Sequence, residues 1–264
     1  MAAIGPRVRG AVPLGSGGRA PALAATRRPP VPWRVRDAFL VMGAGLVFLA
    51  TALITGLGVY ELQGGSPGDT NSRAVVEALV FGGFYVFLLG VIYVVIVHRF
   101  RSSWRTLGLR TVSWQWLAAV PFLFAALTFC YVLMFRGAEA VLGPTTQWPQ
   151  PLKPSTIDAT HLPVTEALVI LTNVFLTPLA EELLFRGVLY QALRRTMPVG
   201  SAVVLSALIF AAMHLSVVLF IPFVLMGAVL ALVYERSGSL VPTILLHACN
   251  NAIVLLIYVG ATSQ

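Results

Sequence analysis

The chain is short of charged residues, of lysine and of cysteine. Only 11% of its 264 residues are charged and 58% are hydrophobic, whereas a soluble domain is typically about 25% charged. This composition argues against a soluble globular protein and predicts a polytopic membrane protein. Lys153 is the only lysine, so the net charge of +8 comes almost wholly from arginine. The arginines lie between apolar runs, as topology signals do, and we therefore expect no nucleic-acid partner.

Several sequence patterns of soluble proteins are also missing. Cys130 and Cys249 lie within apolar runs without a CxxC spacing, so neither a disulfide framework nor a cysteine zinc site is expected. The phosphate-binding GxxxxGK[ST] pattern, the Rossmann glycine fingerprint and His-Glu-x-x-His do not occur. The common nucleotide-binding and soluble zinc-protease classes are therefore not indicated.

Long apolar runs dominate what is present, and they predict an all-α transmembrane helical bundle. The runs cover residues 38–60, 75–97, 114–135, 164–190, 201–218, 219–234 and 240–259. A helix needs about 20 apolar residues to cross a bilayer. The pattern predicts about seven spans. The fifth and sixth runs join tightly at Leu219–Pro222, so one longer helix kinked at Pro222 is the alternative.

Composition divides the chain into four parts. The predicted parts are a disordered basic tail at 1–37, three transmembrane helices at 38–136, an extracytoplasmic loop at 137–163 and a helical core at 164–260. The tail is rich in proline, glycine and arginine and lacks hydrophobic periodicity. The loop is rich in proline and threonine, which interrupt regular structure.

The positions of the arginines predict the orientation. Arginines precede the first span and follow the second, fourth and sixth, at Arg27, Arg28, Arg34, Arg36, Arg99, Arg101, Arg105, Arg110, Arg194, Arg195 and Arg236. With seven spans all of them lie on one side. Basic loops stay in the cytoplasm, so we expect a cytoplasmic N terminus and an outer C terminus. The expected surroundings are the lipids of the plasma (inner) membrane, and the sequence gives no oligomeric state.

Two adjacent carboxylates lie inside the fourth apolar run, where ionised groups are costly. Residues four apart share one face of an α-helix, so Glu182 can pair with Arg186. Glu181 points about 100° away and is not matched by this arginine in the same way. We therefore interpret Glu182 and Arg186 as a structural ion pair and Glu181 as the carboxylate available for chemistry. A wholly structural cluster is the alternative.

Two further apolar runs carry polar side chains. Phe210 precedes His214 by one helical turn and can hold its ring. His247 and Asn251 are also four apart, and two donors on one face suit the stabilisation of an oxyanion. Taken singly, each of these polar residues could simply form an interhelical hydrogen bond.

Taken together, these residues suggest one site. A carboxylate, two imidazoles and an amide on three helices suit water activation for hydrolysis. A transporter or proton relay would use similar residues and is the rival interpretation. One difficulty is depth: Glu181 lies near the predicted cytoplasmic end of its helix, whereas His214 lies about 13 residues into its own. Helix tilt or a different helix boundary must close that gap.

Three motifs resemble those of the CPBP intramembrane proteases. They are Glu181-Glu182-x-x-x-Arg186, Phe210-x-x-x-His214 and His247-x-x-x-Asn251, and the similarity runs from about Pro178 to Asn251. This family includes the type II CAAX prenyl endopeptidases and the Abi-type bacteriocin-processing and self-immunity proteins.

The resemblance implies an all-helical intramembrane endopeptidase acting on a membrane-associated peptide or protein. It implies that Glu181 and His214 activate water, that His247 and Asn251 stabilise the oxyanion, and that Glu182 and Arg186 support the conformation. The family is often called metalloproteases, and Glu181, His214 and His247 could make a zinc site. We expect no metal. We also expect a prokaryotic host, in which a prenylated substrate is not expected. A non-catalytic immunity or scaffold protein is the further alternative.

Overall fold

The computed structural model describes residues 30–62, 64, 70–143 and 163–262, and over these residues it is helical without strands. We number the helices as α1 Val35–Leu62, α2 70–98, α3 Trp104–Leu107, α4 Trp114–Leu142, α5 163–194, α6 Val199–Met213, α7 Phe220–Ser237 and α8 Val241–Thr262. The seven long helices correspond one to one with the seven predicted apolar runs. The predicted all-α membrane bundle is thus confirmed.

Five of these helices are long and apolar enough to cross a membrane among the residues that the structure describes. They are Val35–Leu62, Val75–His98, Trp114–Leu142, Glu166–Arg194 and Phe220–Ser237. The helix Val199–Met213 and the apolar part of α8, Val241–Ile257, are shorter. The join predicted between the fifth and sixth runs separates two helices, so no single kinked helix is present there. Seven spans and a cytoplasmic N terminus stay predictions.

Helix α5 departs from the regular α-helix that its apolar run predicts. Its backbone hydrogen bonds have the π-helical pattern over Leu171–Leu176 and again over Leu183–Tyr190. The stretch Thr177–Glu182 between them is α-helical. Each π-helical stretch widens the helix and rotates the residues that follow it. Such stretches occur frequently at functional sites. Both glutamates lie in the α-helical part between the two.

The first transmembrane helix begins earlier than predicted. Helix α1 begins at Val35 rather than at residue 38, and Trp33 before it is fully buried. The Trp33 Nε1 atom donates a hydrogen bond to the Val188 carbonyl, 3.0 Å away. A buried indole that finds an acceptor packs as core, so the predicted tail ends before this residue. Residues 1–29 lie outside the described residues, as do 144–162 of the predicted loop.

The segment between α2 and α4 is fixed against the turn that joins α7 to α8. Gly108 has φ +113°, and a Cβ there would lie 2.7 Å from the Tyr234 ring. Glycine is therefore required by both conformation and space. The Gly108 carbonyl accepts from the Leu240 amide at 2.8 Å, and the Leu107 carbonyl accepts from the Tyr234 hydroxyl at 3.1 Å. These contacts tie the first half of the bundle to the half with the motifs.

Candidate active site

Glu182 and Arg186 form the ion pair that their spacing predicts. The Arg186 Nη1 atom lies 2.7 Å from Glu182 Oε1, and both side chains are buried. The Nη2 atom donates to the Gly227 carbonyl at 3.1 Å, and the guanidinium carbon lies 4.7 Å from the Phe210 ring centroid. A buried charge needs such partners, because an unpaired one is costly in a low-dielectric interior.

His247 contacts both carboxylates. Its Nδ1 atom lies 2.9 Å from Glu182 Oε1, and its Nε2 atom lies 3.8 Å from Glu181 Oε2. The sequence predicted that His247 lies near Glu181 but did not predict its bond to Glu182. Residue spacing within one helix does not show which residues meet between helices. Since a carboxylate only accepts, the Nδ1 atom carries the proton in this bond. The Nε2 atom is thereby directed towards Glu181.

His214 immediately follows the last residue of α6 and is held on two sides. Its Nδ1 atom lies 2.8 Å from the Phe210 carbonyl, and its ring stacks on Phe223 with centroids 4.0 Å apart. A carbonyl can only accept, so Nδ1 is the protonated nitrogen here as well. The Nε2 atom lies 3.9 Å from Glu181 Oε2. Phe210 therefore orients His214 mainly through its backbone, in addition to a ring contact at 4.6 Å.

The observed helix ends place Glu181 and His214 at a similar depth, although the sequence predicted different depths for them. Helix α5 continues to Arg194, so Glu181 is 13 residues before its end, and His214 is 15 residues after the first residue of α6, Val199. A short connection joins these two helix ends. At about 1.5 Å per residue, both side chains therefore lie roughly 20 Å from it. The predicted end near Tyr190 placed Glu181 too close to the membrane surface.

Tyr85 of α2 is a site residue that sequence reasoning missed. Its hydroxyl donates a hydrogen bond to Glu181 Oε1 at 2.9 Å. The other oxygen, Oε2, is buried without a hydrogen-bond partner among the described residues. A signal was present, since a tyrosine inside an apolar run needs a partner for its hydroxyl. Only the fold reveals which partner it finds.

Asn251 lies one turn beyond His247 on α8, as its spacing predicts. Its Nδ2 atom donates to the Asn173 carbonyl of α5 at 2.9 Å. This bond ties α8 to α5 and uses one of the two amide protons. The structure thus brings Glu181, His214 and His247 together, and the one contact it shows for Asn251 is with the backbone of α5.

Glu181 lies farther from both histidines than one zinc ligand lies from another. No group of three or more His, Cys, Asp and Glu side chains is suited to hold a metal ion within the described ranges. Glu181 Oε2 lies 3.9 and 3.8 Å from the Nε2 atoms of His214 and His247. Two ligand atoms that each lie about 2.0–2.2 Å from a tetrahedral zinc ion are only roughly 3.4 Å apart. The absence of a metal stays a prediction.

The segment that carries these residues matches a known family. Residues 163–253 match the model of the family described as Type II CAAX prenyl endopeptidase Rce1-like. No curated protein matches the chain, and no solved structure does. The apolar helices and this match together make the protein an integral multi-pass membrane protein. The resemblance to the CAAX protease family is therefore confirmed over the segment that contains all three motifs.

Proposed function

We propose that the protein is an intramembrane endopeptidase that hydrolyses a peptide bond of a membrane-associated substrate with an activated water. One observation carries this proposal: Glu181 Oε2 of α5 faces the Nε2 atoms of His214, just after α6, and of His247 on α8, at 3.9 and 3.8 Å. A water bound among these atoms would have a proton acceptor on the carboxylate and on the imidazole of His214. That is the arrangement that general-base catalysis requires.

The chemistry follows from the groups that surround that position. Glu181, assisted by His214, takes one proton from the water, and the hydroxide adds to the scissile carbonyl carbon. The oxyanion accepts hydrogen bonds from His247 Nε2 and from the amide proton of Asn251 that Asn173 does not use. The C–N bond then breaks as the stored proton passes to the leaving amine. Water is consumed, and no acyl-enzyme forms.

Glu182 has a separate role in this scheme. Its carboxylate holds Nδ1 of His247 at 2.9 Å, which fixes the ring and balances the charge of an imidazolium that donates from Nε2. Arg186 holds Glu182 in turn. Neither touches the reacting atoms, so both are positioning residues. The reaction is proposed to proceed without a metal, in the plasma (inner) membrane of a prokaryotic host.

The test compares variants of the full chain purified in detergent. The probes are an internally quenched peptide ending in a farnesylated CAAX sequence, the same peptide without the farnesyl group, and the membrane proteome of the expression host. We expect Glu181→Gln, His214→Ala and His247→Ala to abolish cleavage while the proteins stay folded. The matched controls are Glu166→Gln on the same helix and His98→Ala at the end of α2, which should cleave like wild type.

The outcomes separate the rival functions. If the three site variants generate the same products as wild type, the protease proposal is wrong at these residues. If wild type produces no new peptide termini with any probe, a non-catalytic scaffold or a transporter explains the polar cluster instead. Cleavage of only the farnesylated peptide would assign a prenylated substrate, against the expectation for a prokaryotic host.

A further inference from the structure

Helix α2 contributes a side chain to the site from outside the segment that matches the family. The Tyr85 hydroxyl lies 2.9 Å from Glu181 Oε1, and it is the one hydrogen-bond donor to this carboxylate that the described residues supply. Tyr85 is partly buried, and its ring also packs against Phe84 at 4.8 Å. A tyrosine brought this close to a candidate catalytic carboxylate can affect its chemistry directly.

The packing of α2 against α5 explains why the hydroxyl reaches the carboxylate. Gly82 lies three residues before Tyr85, on the same face of the helix. A Cβ at Gly82 would lie 3.4 Å from Thr172 Oγ1 of α5, and Thr172 is itself buried. Ala78, one turn earlier, is also small and buried. Small residues on one face let two membrane helices approach closely, which brings the longer Tyr85 side chain beside Glu181.

The two oxygens of Glu181 consequently differ. Oε1 is held by Tyr85, whereas Oε2 has no hydrogen-bond partner among the described residues and faces both histidines. A carboxylate can rotate about its last single bond, and a hydrogen bond to one oxygen restricts that rotation. The hydrogen bond from Tyr85 thus lies on one oxygen of Glu181, and the other oxygen faces the histidines.

We propose that Tyr85 is a positioning residue for Glu181, donating to Oε1 so that Oε2 stays directed at the position between His214 and His247. The inference rests on the proposed function, because it assigns Glu181 as the base. The competing explanation is that the bond only joins α2 to α5. In that case its loss would lower stability and leave the turnover of folded enzyme unchanged.

The test is Tyr85→Phe, which removes the hydroxyl and keeps the ring. We expect kcat for the quenched peptide to fall about 10- to 100-fold, the range for losing a hydrogen bond to a charged group, with KM within about twofold. Replacing Tyr85 by 4-aminophenylalanine restores an N–H donor and should recover most of kcat. The control is Tyr93→Phe on the same helix, whose ring is half exposed and stacks on Trp104, and it should match wild type.

The failure of this proposal is distinguishable from failure of the proposed function. If Glu181→Gln is inactive and Tyr85→Phe turns over like wild type, only the role of Tyr85 is wrong. If Glu181→Gln cleaves like wild type, both proposals fall.

A measurement without substrate completes the test. The ¹⁹F resonance of 3-fluorotyrosine at position 85 should move in Glu181→Gln and not in Glu166→Gln. An unchanged resonance would show that the contact does not form and would overturn the proposal by itself.

Discussion

The Nδ1 atom of His247 lies 2.9 Å from Oε1 of Glu182. The same oxygen accepts from Arg186 at 2.7 Å, so Glu182 joins an arginine of its own helix to a histidine of α8. Oε2 of Glu182 is buried without a hydrogen-bond partner in the described part of the chain. The second glutamate of the pair thus holds Arg186 and His247, and the first faces the Nε2 atoms of both histidines.

Removing this carboxylate should destabilise the protein strongly. In Glu182→Ala the Arg186 guanidinium stays buried without its counter-charge, which typically costs about 3–5 kcal/mol. Thermal unfolding in detergent measures the effect. The control is Glu139→Ala, whose pair with Arg136 is mostly exposed and worth about 0.2–1 kcal/mol. Equal melting temperatures for the two variants would contradict a structural role for Glu182.

Close packing of α6 against α7 predicts a second stability effect. A Cβ at Gly227 would lie 2.9 Å from the Ala207 Cα, so Gly227→Ala must push the two helices apart. Overpacking of this kind costs about 1–3 kcal/mol. It would also displace the carbonyl that accepts from Arg186. Gly90→Ala meets nothing within 4 Å and should leave stability equal or raised by up to about 1 kcal/mol. A Gly227→Ala protein as stable as Gly90→Ala would refute the close approach.

The segment before α1 should prove part of the folded core. Trp33 is fully buried, and Trp33→Ala should cost about 3–5 kcal/mol because it leaves a large cavity. Trp114 is 73% exposed, so Trp114→Ala should change the free energy of unfolding by less than about 0.5 kcal/mol in detergent. Chemical denaturation of both variants compares them. Equal losses would mean that Trp33 does not pack as described.

The proposed absence of a metal is tested on the pure protein. We expect less than stoichiometric zinc by elemental analysis, and we expect cleavage of the quenched peptide to survive dialysis against a chelator. Proteins that depend on zinc lose function when it is removed. Stoichiometric zinc, with activity lost on chelation and restored by zinc alone, would overturn the metal-free mechanism.

The orientation follows from seven spans and is tested with single cysteines. Cys130 and Cys249 are first replaced by serine. A membrane-impermeant thiol reagent applied to intact cells should then label Gly64→Cys and Val217→Cys and leave Arg101→Cys and Arg236→Cys unlabelled, because basic loops are expected inside. Labelling of Arg236→Cys together with protection of Val217→Cys would mean that α6 and α7 do not cross as two separate spans.

The sequence by itself determined the helices, the ion pair and the polar residues of the three motifs. Apolar runs require helices in lipid, since every backbone polar group must be paired within the segment. The four-residue spacing of Glu182 and Arg186 dictates a contact within one helix, as does that of Phe210 and His214. Polar side chains are costly to place in lipid, so those within the apolar runs could be recognised as candidate site residues.

Only the tertiary structure decided which groups meet across helices. The contact of His247 with Glu182, the approach of Tyr85 to Glu181 and the bond from Asn251 to the Asn173 carbonyl join residues far apart in the chain. They depend on helix rotation and length, including the π-helical stretches on either side of the two glutamates and the continuation of α5 to Arg194. Periodicity describes one helix at a time, whereas the meeting of side chains depends on how several helices pack together.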